Sequence, residues 1–346
     1  MRNDFEIAGF SVRPGTRQDV SIRLPALHSD TPMSLPVHVI HGRRDGPVLC
    51  LSAAIHGDEI NGIEVIRRLL TLSGVNKIRG TLLAVPMVNV YGFENHSRYL
   101  PDRRDLNRSF PGREQGTLAG RLAYTFLHEV VLKSDIGIDL HTAAIHRDNF
   151  PQIRADIGNL MLRRLARVFE SPVLLHSAPP EGSLRFAAAA ESIPIMVYEA
   201  GEALRYDEVS IRVAVRGVLN VMRELEMLPK SRRKKTKPPV VLRSSSWARA
   251  PRSGVMRALV KLGDMVAKGD TMAVISTPFS GEERVLAAHS DGIIIGRTNL
   301  PLVYEGEALF HIGRSHQSSL LEEHLDVLQD DTALTSPELV EEPAIV

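Results

Sequence analysis

Residues 47–59 read Pro-Val-Leu-Cys-Leu-Ser-Ala-Ala-Ile-His-Gly-Asp-Glu, and this stretch decides the fold. Its first nine residues form a short, continuous apolar run, which is typical of a parallel strand buried on both faces. Apolar residues then recur at helical spacing over residues 63–70. The pattern therefore places His56 and Glu59 on a strand-to-helix turn. This turn lies at the carboxyl end of a sheet strand, where open α/β sheets bind ligands.

Three further segments carry residue types of the kind found in hydrolytic metal sites. A neutral imidazole and a carboxylate are two of the three protein ligands of a typical catalytic zinc, but the His56 and Glu59 pair alone is weak evidence. The segment Asp-Leu-His-Thr at 139–142 ends another apolar stretch and offers a second imidazole. The block Asp-Leu-Asn-Arg-Ser-Phe-Pro-Gly at 105–112 combines an amide, a guanidinium and a tight turn, and Glu199 ends a further apolar strand.

These four segments, in this order, resemble the succinylglutamate desuccinylase/aspartoacylase family, which is related to the zinc carboxypeptidases. The resemblance spans roughly residues 45 to 225, and the block at 105–112 is its most specific motif. It implies a zinc-carboxypeptidase-like α/β fold with a mixed, largely parallel sheet flanked by helices. It also implies one zinc ion per chain, with His56, Glu59 and His141 as the metal ligands.

The same resemblance assigns roles to the residues around the metal. Glu199 would be the general base, and Asn107 and Arg108 would hold the carboxylate of the substrate. Arg98 would polarise the scissile carbonyl, although Arg103 and Arg104 lie close enough in sequence to leave that assignment open.

The chemistry explains why these residue types are needed. Zinc with three protein ligands keeps a fourth position for water, whose pKa it lowers from 15.7 toward about 7. A carboxylate base can take the proton from that water, and a guanidinium can stabilise the oxyanion that forms. Asp139 shares a strand face with His141, so it is predicted either to orient that imidazole or to cap the strand end.

Strand and helix patterns alternate from residue 47 to about residue 227, which predicts a largely parallel sheet covered by helices. Before them, residues 1–46 are predicted to form short strands, with a hairpin signal in the Asp-Gly pair at 43–46. The predicted strands lie near 47–55, 80–88, 135–140, 172–177 and 193–199. The predicted helices lie near 59–73, 117–133, 156–169, 183–191 and 206–227.

The remainder of the chain divides into three parts, which leaves residues 1–228 as the hydrolase domain. Residues 229–239 hold six basic residues and three prolines without aromatics, which favours a solvated linker over a nucleic-acid patch or a targeting signal. Residues 240–314 show all-β spacing that is similar to the hammerhead of biotinyl and lipoyl carriers. Their central turn at 276–281 has no lysine, so we predict a lid or oligomer contact without a covalent cofactor. Residues 315–346, with eight acids and no Lys or Arg, are predicted to be a partly disordered tail with at most a short helix around 320–328.

Composition excludes several other classes of protein. With 346 residues and 43% hydrophobic content, the chain can bury a large core. A formal net charge of +1 gives no reason to expect nucleic acid or a charged membrane as a partner, and one cysteine excludes an internal disulfide. The N-terminus lacks the apolar segment of a signal peptide, so a cytoplasmic protein is the default.

The predicted function is zinc-dependent hydrolysis of the amide of a small N-acylated amino acid, an amidohydrolase activity outside the peptidases. The alternatives are a carboxypeptidase acting on short peptides and a non-catalytic metabolite-binding protein, and a homo-oligomer stays open. Aspartoacylases carry a Tyr and an Arg where this chain has Phe186 and Ala190, which counts against N-acetylaspartate. The local sequence at 182–185 is more similar to the bacterial diaminobutyrate deacetylases. Arg185 there would supply the missing substrate-binding charge, or would be a surface residue of the helix.

Overall fold

The fold combines one large mixed sheet with helices on both of its faces, followed by a β-rich C-terminal region. The computed structural model describes residues 2–230, 238–279 and 281–315. Most of the predicted linker and the predicted acidic tail therefore lie outside the described residues. Within the described residues, no helix has the length and apolar character that crossing a membrane requires.

The strands in chain order are β1 (Phe5–Ile7), β2 (Phe10–Val12), β3 (Thr16–Leu24), β4 (Met33–His41), β5 (Arg44–Ala53), β6 (Arg79–Val85), β7 (Ile136–Ala143), β8 (Arg147–Ala155), β9 (Val173–His176), β10 (Ile195–Glu202), β11 (Val240–Leu242), β12 (Ser244–Arg249), β13 (Gly254–Ala258), β14 (Met265–Val266), β15 (Thr271–Ser276), β16 (Glu283–Ala287), β17 (Gly292–Thr298), β18 (Leu302–Val303) and β19 (Ala308–Arg314). The α-helices are α1 (Asn61–Thr71), α2 (Val90–Glu94), α3 (Leu118–Glu129), α4 (Leu160–Val168), α5 (Leu184–Ala190) and α6 (Glu208–Glu224). Short 3₁₀ turns span Ser73–Lys77, Leu106–Arg108 and Val131–Lys133.

The centre of the large sheet is parallel, as the alternation of patterns predicts. Its main path runs β12-β19-β17-β8-β10-β7-β5-β6-β4-β3. Strand β5 pairs in parallel with β6 and β7, and β7 pairs in parallel with β10, whereas the outer pairs on this path are antiparallel. The carboxyl ends of β5, β7 and β10 therefore meet at one edge of the sheet, and the predicted site residues lie there.

Amphipathic helices cover both faces of this sheet. Helix α1 buries Val65, Ile66, Leu69 and Leu70, the spacing of one helical face, in the same core as the inner residues of α4 and α6. Helices α3 and α5 contribute to a second core on the other side. The predicted α/β class with helices on both faces is thus confirmed.

Strand β8 is a feature that the sequence patterns missed. It contains Pro151 and several charged residues, which argue against a central strand. The structure accommodates the proline where the strand changes partners. Residues 147–149 of β8 pair with β17, and residues 152–155 pair with β9.

The hairpin predicted at 43–46 is wrong. Strands β4 and β5, which flank this stretch, are not paired with each other, because β6 lies between them. The Asp-Gly pair is instead part of β5, at a register irregularity between Arg44 and Val48. A Cβ on Gly46 would lie 2.8 Å from the backbone nitrogen of Gly80, so the glycine permits the close approach of two strands rather than a turn.

The C-terminal region is β-rich, as predicted, and it extends the large sheet. Strands β17, β19 and β12 continue the sheet outward from β8, while β16, β15, β13 and β18 form a separate four-stranded sheet. A core that includes Met272, Ile294 and Phe310 joins the two layers. Strands β15 and β16 pair antiparallel, and the lysine-free segment at 276–281 connects them in sequence.

Candidate metal centre and active site

The turn after β5 presents His56 and Glu59 to the same side. Ala54 has a positive φ of 50°, and the Glu59 N–H donates to the His56 carbonyl at 3.1 Å, so the chain reverses sharply before α1. Gly57 lies against α2, where a Cβ would come within 2.0 Å of the carbonyl carbon of Gly92. A larger residue there would push the turn away from the sheet edge.

The structure brings the three predicted metal ligands together in a buried cluster. His56 Nδ1 lies 2.6 Å from Glu59 Oε1, and His141 Nδ1 lies 2.7 Å from Glu59 Oε2. A ligand atom from each residue falls within 4.8 Å of the others. These residues are between 2% and 5% exposed, so a cation among them would be largely shielded from water.

The far nitrogens of both imidazoles point at carboxylates. His141 Nε2 lies 2.7 Å from Asp139 Oδ2, and His56 Nε2 lies 3.2 Å from Asp105 Oδ1. A carboxylate acceptor assigns the proton to Nε2 and leaves the Nδ1 lone pair directed at Glu59. A lone pair that faces a carboxylate is repelled unless a proton or a metal ion lies between them. This donor set, two imidazoles and one carboxylate with oriented rings, fits a catalytic zinc.

Protons compete with a cation for the ligand atoms of this cluster. Burial alone would lower the pKa of His56 and His141, but Glu59 and the carboxylates behind the rings raise both values above the ordinary one. Burial opposes ionisation of Glu59, yet the two imidazoles hold the pKa of this carboxyl well below its usual range. A metal ion that binds here must displace those protons, which couples its affinity to pH.

Arg98 is the arginine of its loop that reaches the predicted metal ligands. Its Nη1 donates to Glu59 Oε1 at 3.2 Å, and its Nη2 donates to Asp105 Oδ2 at 2.9 Å. Arg103 and Arg104 are exposed, and Arg104 pairs loosely with an acid of its own loop at 3.9 Å. Of the three candidates, Arg98 is therefore the one that contacts the cluster, and its action on a scissile carbonyl stays a prediction.

Glu199 lies beside the cluster on the neighbouring strand. It is the Cα partner of His141 in the parallel β10–β7 pair, so the two side chains share one face of the sheet. Its Oε2 accepts a hydrogen bond from Asn149 Nδ2 at 2.8 Å, and its Oε1 lies 3.2 Å from Arg154 Nη1. The carboxylate is thus held at both oxygens.

Arg185 is a buried cation, so its interpretation as a surface residue of the helix is wrong. Only 7% of it is exposed, and its guanidinium donates to the carbonyl and the hydroxyl of Ser177, both at 3.2 Å. Within the described residues no carboxylate oxygen lies within 4.0 Å of it. Burial and the charge of Arg154 lower the pKa of Arg185 to about 10.

The loop that carries Asn107 and Arg108 packs against the start of α5. Asn107 Oδ1 accepts from the Leu184 N–H at 2.9 Å, which caps that helix. Arg108 is exposed, and its Nη1 donates to the Asn107 carbonyl at 2.7 Å. The structure therefore places the loop beside the site, but the Arg108 hydrogen bond goes to backbone, and substrate binding by both residues stays a prediction.

Three residues of this site were not predicted to have a role. Asp105 lies within the recognised loop motif, two residues before Asn107. Its carboxylate in that motif was the feature from which a role could have been predicted. Asn149 and Arg154 both lie on β8, and they were not identified because that strand was not predicted.

Comparison with known proteins identifies relatives of this chain. Residues 45–225 match the succinylglutamate desuccinylase/aspartoacylase catalytic domain. The chain is 26% identical over 276 residues to the N-alpha-acetyl-L-2,4-diaminobutyric acid deacetylase of Halomonas elongata, covering 76% of this chain and 80% of that protein.

Two solved structures share the fold at low identity. The succinylglutamate desuccinylase/aspartoacylase of Rhodobacter sphaeroides has a TM-score of 0.77 at 23% identity and covers 87% of this chain and 96% of its own. The product-bound ectoine utilization protein EutE (DoeB) of Ruegeria pomeroyi has a TM-score of 0.78 at 23% identity, with 86% and 95% covered.

Proposed function

This chain belongs to the succinylglutamate desuccinylase/aspartoacylase family, whose members cleave carbon–nitrogen bonds other than peptide bonds, and from that premise we propose that it is a zinc-dependent deacylase of small N-acylated amino acids or related metabolites. The observation that carries the proposal is the buried cluster of His56, Glu59 and His141. Both of its rings are held from behind by carboxylates, and its donor atoms converge. Such an arrangement suits a cation of zinc's ligand preference.

The residues around the cluster would supply proton transfer and stabilisation of the oxyanion in amide hydrolysis. Bound zinc would supply Lewis acidity and a water of lowered pKa. Glu199 would accept a proton from the attacking water and return it to the leaving amine, a role typically worth about 10²–10⁴-fold in rate. Arg98 would donate to the carbonyl oxygen where negative charge develops.

The charges near the site support a substrate with a free carboxylate. Arg185 is a buried guanidinium without a carboxylate of its own, and an unpaired buried charge is costly unless a ligand compensates it. Asn107 and Arg108 would contribute an amide and a second guanidinium from the facing loop. The deacetylase from Halomonas elongata makes an N-acetylated diamino acid the first substrate to test.

The C-terminal β-region would restrict access to this site. We keep residues 1–228 as the hydrolase domain, 229–239 as a linker and 240–314 as a region that closes one side without a covalent cofactor. Strand β17 supports this proposal, because it pairs directly with β8 beside Glu199. A closed pocket selects small metabolites over longer peptides.

The experiment is a substrate panel with zinc-loaded protein. We expect hydrolysis of N-acetyl or N-succinyl amino acids that carry a free carboxylate, and slow cleavage of dipeptides and of substrates with an amidated carboxylate. Glu199→Gln should keep one zinc per chain and lose nearly all turnover, with KM little changed. Glu191→Gln, which changes an exposed carboxylate shortly before the same strand, is the matched control. Dipeptides as the best substrates, or turnover by Glu199→Gln within a few-fold of wild type, would contradict the proposal.

A further inference from the structure

The two oxygens of Glu199 are held by one strand, and that strand connects the central sheet to the C-terminal β-region. Asn149 Nδ2 donates to Oε2 at 2.8 Å, and Arg154 Nη1 lies 3.2 Å from Oε1. Both donors lie on β8. Because rotation of the carboxylate would lose both contacts, its plane is fixed relative to β8.

Asn149 is buried between two glycines on the neighbouring strands. Only 7% of it is exposed, and its Cα partners are Gly201 of β10 and Gly296 of β17. A Cβ on Gly296 would lie 2.9 Å from Asn149 Oδ1 and 3.3 Å from the Cβ of His311. The space that the Asn149 amide occupies therefore exists because residue 296 has no side chain.

Strand β17 is also tied to this end of the central sheet by hydrogen bonds. Gln152 Nε2 donates to the Ile295 carbonyl at 2.9 Å. The Asn299 N–H donates to the His146 carbonyl at 2.7 Å, and Asn299 Nδ2 donates to Glu202 Oε2 at 2.9 Å. These bonds lie on both sides of Gly296, so β17 cannot shift without moving β8 or β10 beside Glu199.

From these contacts we propose that Asn149 is a positioning residue for Glu199, and that β17 of the C-terminal region, through Gly296, fixes Asn149. The inference rests on the proposed function, in which Glu199 is the base. It makes the C-terminal β-region part of the catalytic machinery in addition to a cover for the pocket. A general base must lie within hydrogen-bond reach of the water that it deprotonates, and a displacement of about 1 Å costs on the order of 10²-fold in rate.

The first test is Asn149→Asp, which keeps the shape of the side chain but replaces the donor to Glu199 with an acceptor. We expect kcat to fall roughly 10- to 100-fold, with KM within about threefold, as for loss of an orienting partner. Zinc content should stay close to wild type. Because Asp also brings a negative charge within hydrogen-bond distance of Glu199, the uncharged Asn149→Leu, which has a similar volume and no donor, is measured beside it. A residue that only filled space would tolerate Leu, so a fall in kcat in both variants separates positioning from packing.

The second test approaches Asn149 from the C-terminal region. Gly296→Ala places a methyl group against the amide and should lower kcat about 5- to 10-fold, a smaller effect because the neighbour can yield by a few tenths of an ångström. Gly281→Ala, where a Cβ would meet nothing within 4 Å, is the control and should not change kcat. This pair also keeps the proposal testable if Asn149→Asp fails to fold.

The outcomes separate this inference from the proposed function. If Asn149→Asp and Gly296→Ala fold and keep kcat within twofold of wild type while Glu199→Gln is inactive, Asn149 does not position the base, although the function stands. If Glu199→Gln is itself active, the assignment of the base fails first. Equal losses in Gly281→Ala and Gly296→Ala would overturn the role of β17.

Discussion

Asp139→Asn would test whether the carboxylate behind His141 tunes the metal site. Asp139 is 1% exposed, its Oδ2 lies 2.7 Å from His141 Nε2, and its Oδ1 accepts from the Ser52 hydroxyl at 2.8 Å. Asparagine has the same shape, and its amide oxygen can still accept from the imidazole. The substitution therefore removes the negative charge and leaves the contact in place.

The size of the effect follows from the two kinds of hydrogen bond. A bond to a charged group contributes about 1.5–3 kcal/mol, and a neutral one about 0.5–1.5 kcal/mol, so about 1–1.5 kcal/mol is lost. Since about 1.4 kcal/mol corresponds to tenfold in affinity, the Kd for zinc should rise about tenfold. That value is at the lower end of the 10- to 100-fold range that is typical of partners behind metal ligands.

The assay is competition for zinc between the protein and a chromophoric chelator at fixed pH. Asp135→Asn is the matched control, because Asp135 precedes the same strand, is exposed, and accepts from the Val48 N–H at 2.7 Å away from the metal cluster. A Kd for Asp139→Asn within twofold of wild type would refute the reasoning. An equal loss of affinity in the control would also refute it.

Three further predictions use the charges of the site. Arg185→Met should leave the melting temperature unchanged or raise it, because an unpaired buried cation is removed, while KM for carboxylate-bearing substrates rises about tenfold or more, as thermal melts and kinetics would show. Arg98→Ala should lower kcat about 10²-fold or more with a smaller change in KM, measured by steady-state kinetics. Because the pKa values of His56 and His141 are raised in the folded protein, protonation of these imidazoles stabilises the metal-free protein. This stabilisation is fully present below about pH 6.5, the ordinary pKa of an imidazole, and is lost as pH rises through the raised values. The lowered pKa of Glu59 acts oppositely: its contribution is present above about 4.5 and is lost as pH falls. Melting curves of chelator-treated protein from pH 4 to 9 should therefore peak between these limits, and added zinc should remove the decline at high pH.

The sequence predicted the parts of the site that strand ends supply. His56 follows a buried apolar strand, and His141 and Glu199 lie near the carboxyl ends of two others, so their convergence at one edge of the sheet follows from parallel pairing. Prediction from local sequence patterns failed where one residue type is compatible with two different structures. Pro151 argued against a strand, yet it lies where β8 exchanges one partner for another. Because strand β8 was not predicted, no role was predicted for Asn149.

Long-range strand pairing was the second feature that could not be predicted from the sequence. The β-rich character of residues 240–314 was readable from its glycine spacing, but the pairing of β17 with β8 joins Gly296 to a partner about 150 residues earlier, and no local pattern encodes that register. Arg185 was a third case, because a guanidinium on a short helix reads equally well as exposed or buried until packing is known.

The most direct test of the account is a zinc titration of chelator-stripped protein, with hydrolysis of an N-acyl amino acid as the readout. The account predicts that the stripped protein is inactive and that turnover rises linearly to one zinc per chain and then stops. His56→Ala should abolish this recovery, since the site would keep only two of its three protein ligands. Full turnover without metal, or recovery that does not depend on His56, would contradict the central claim.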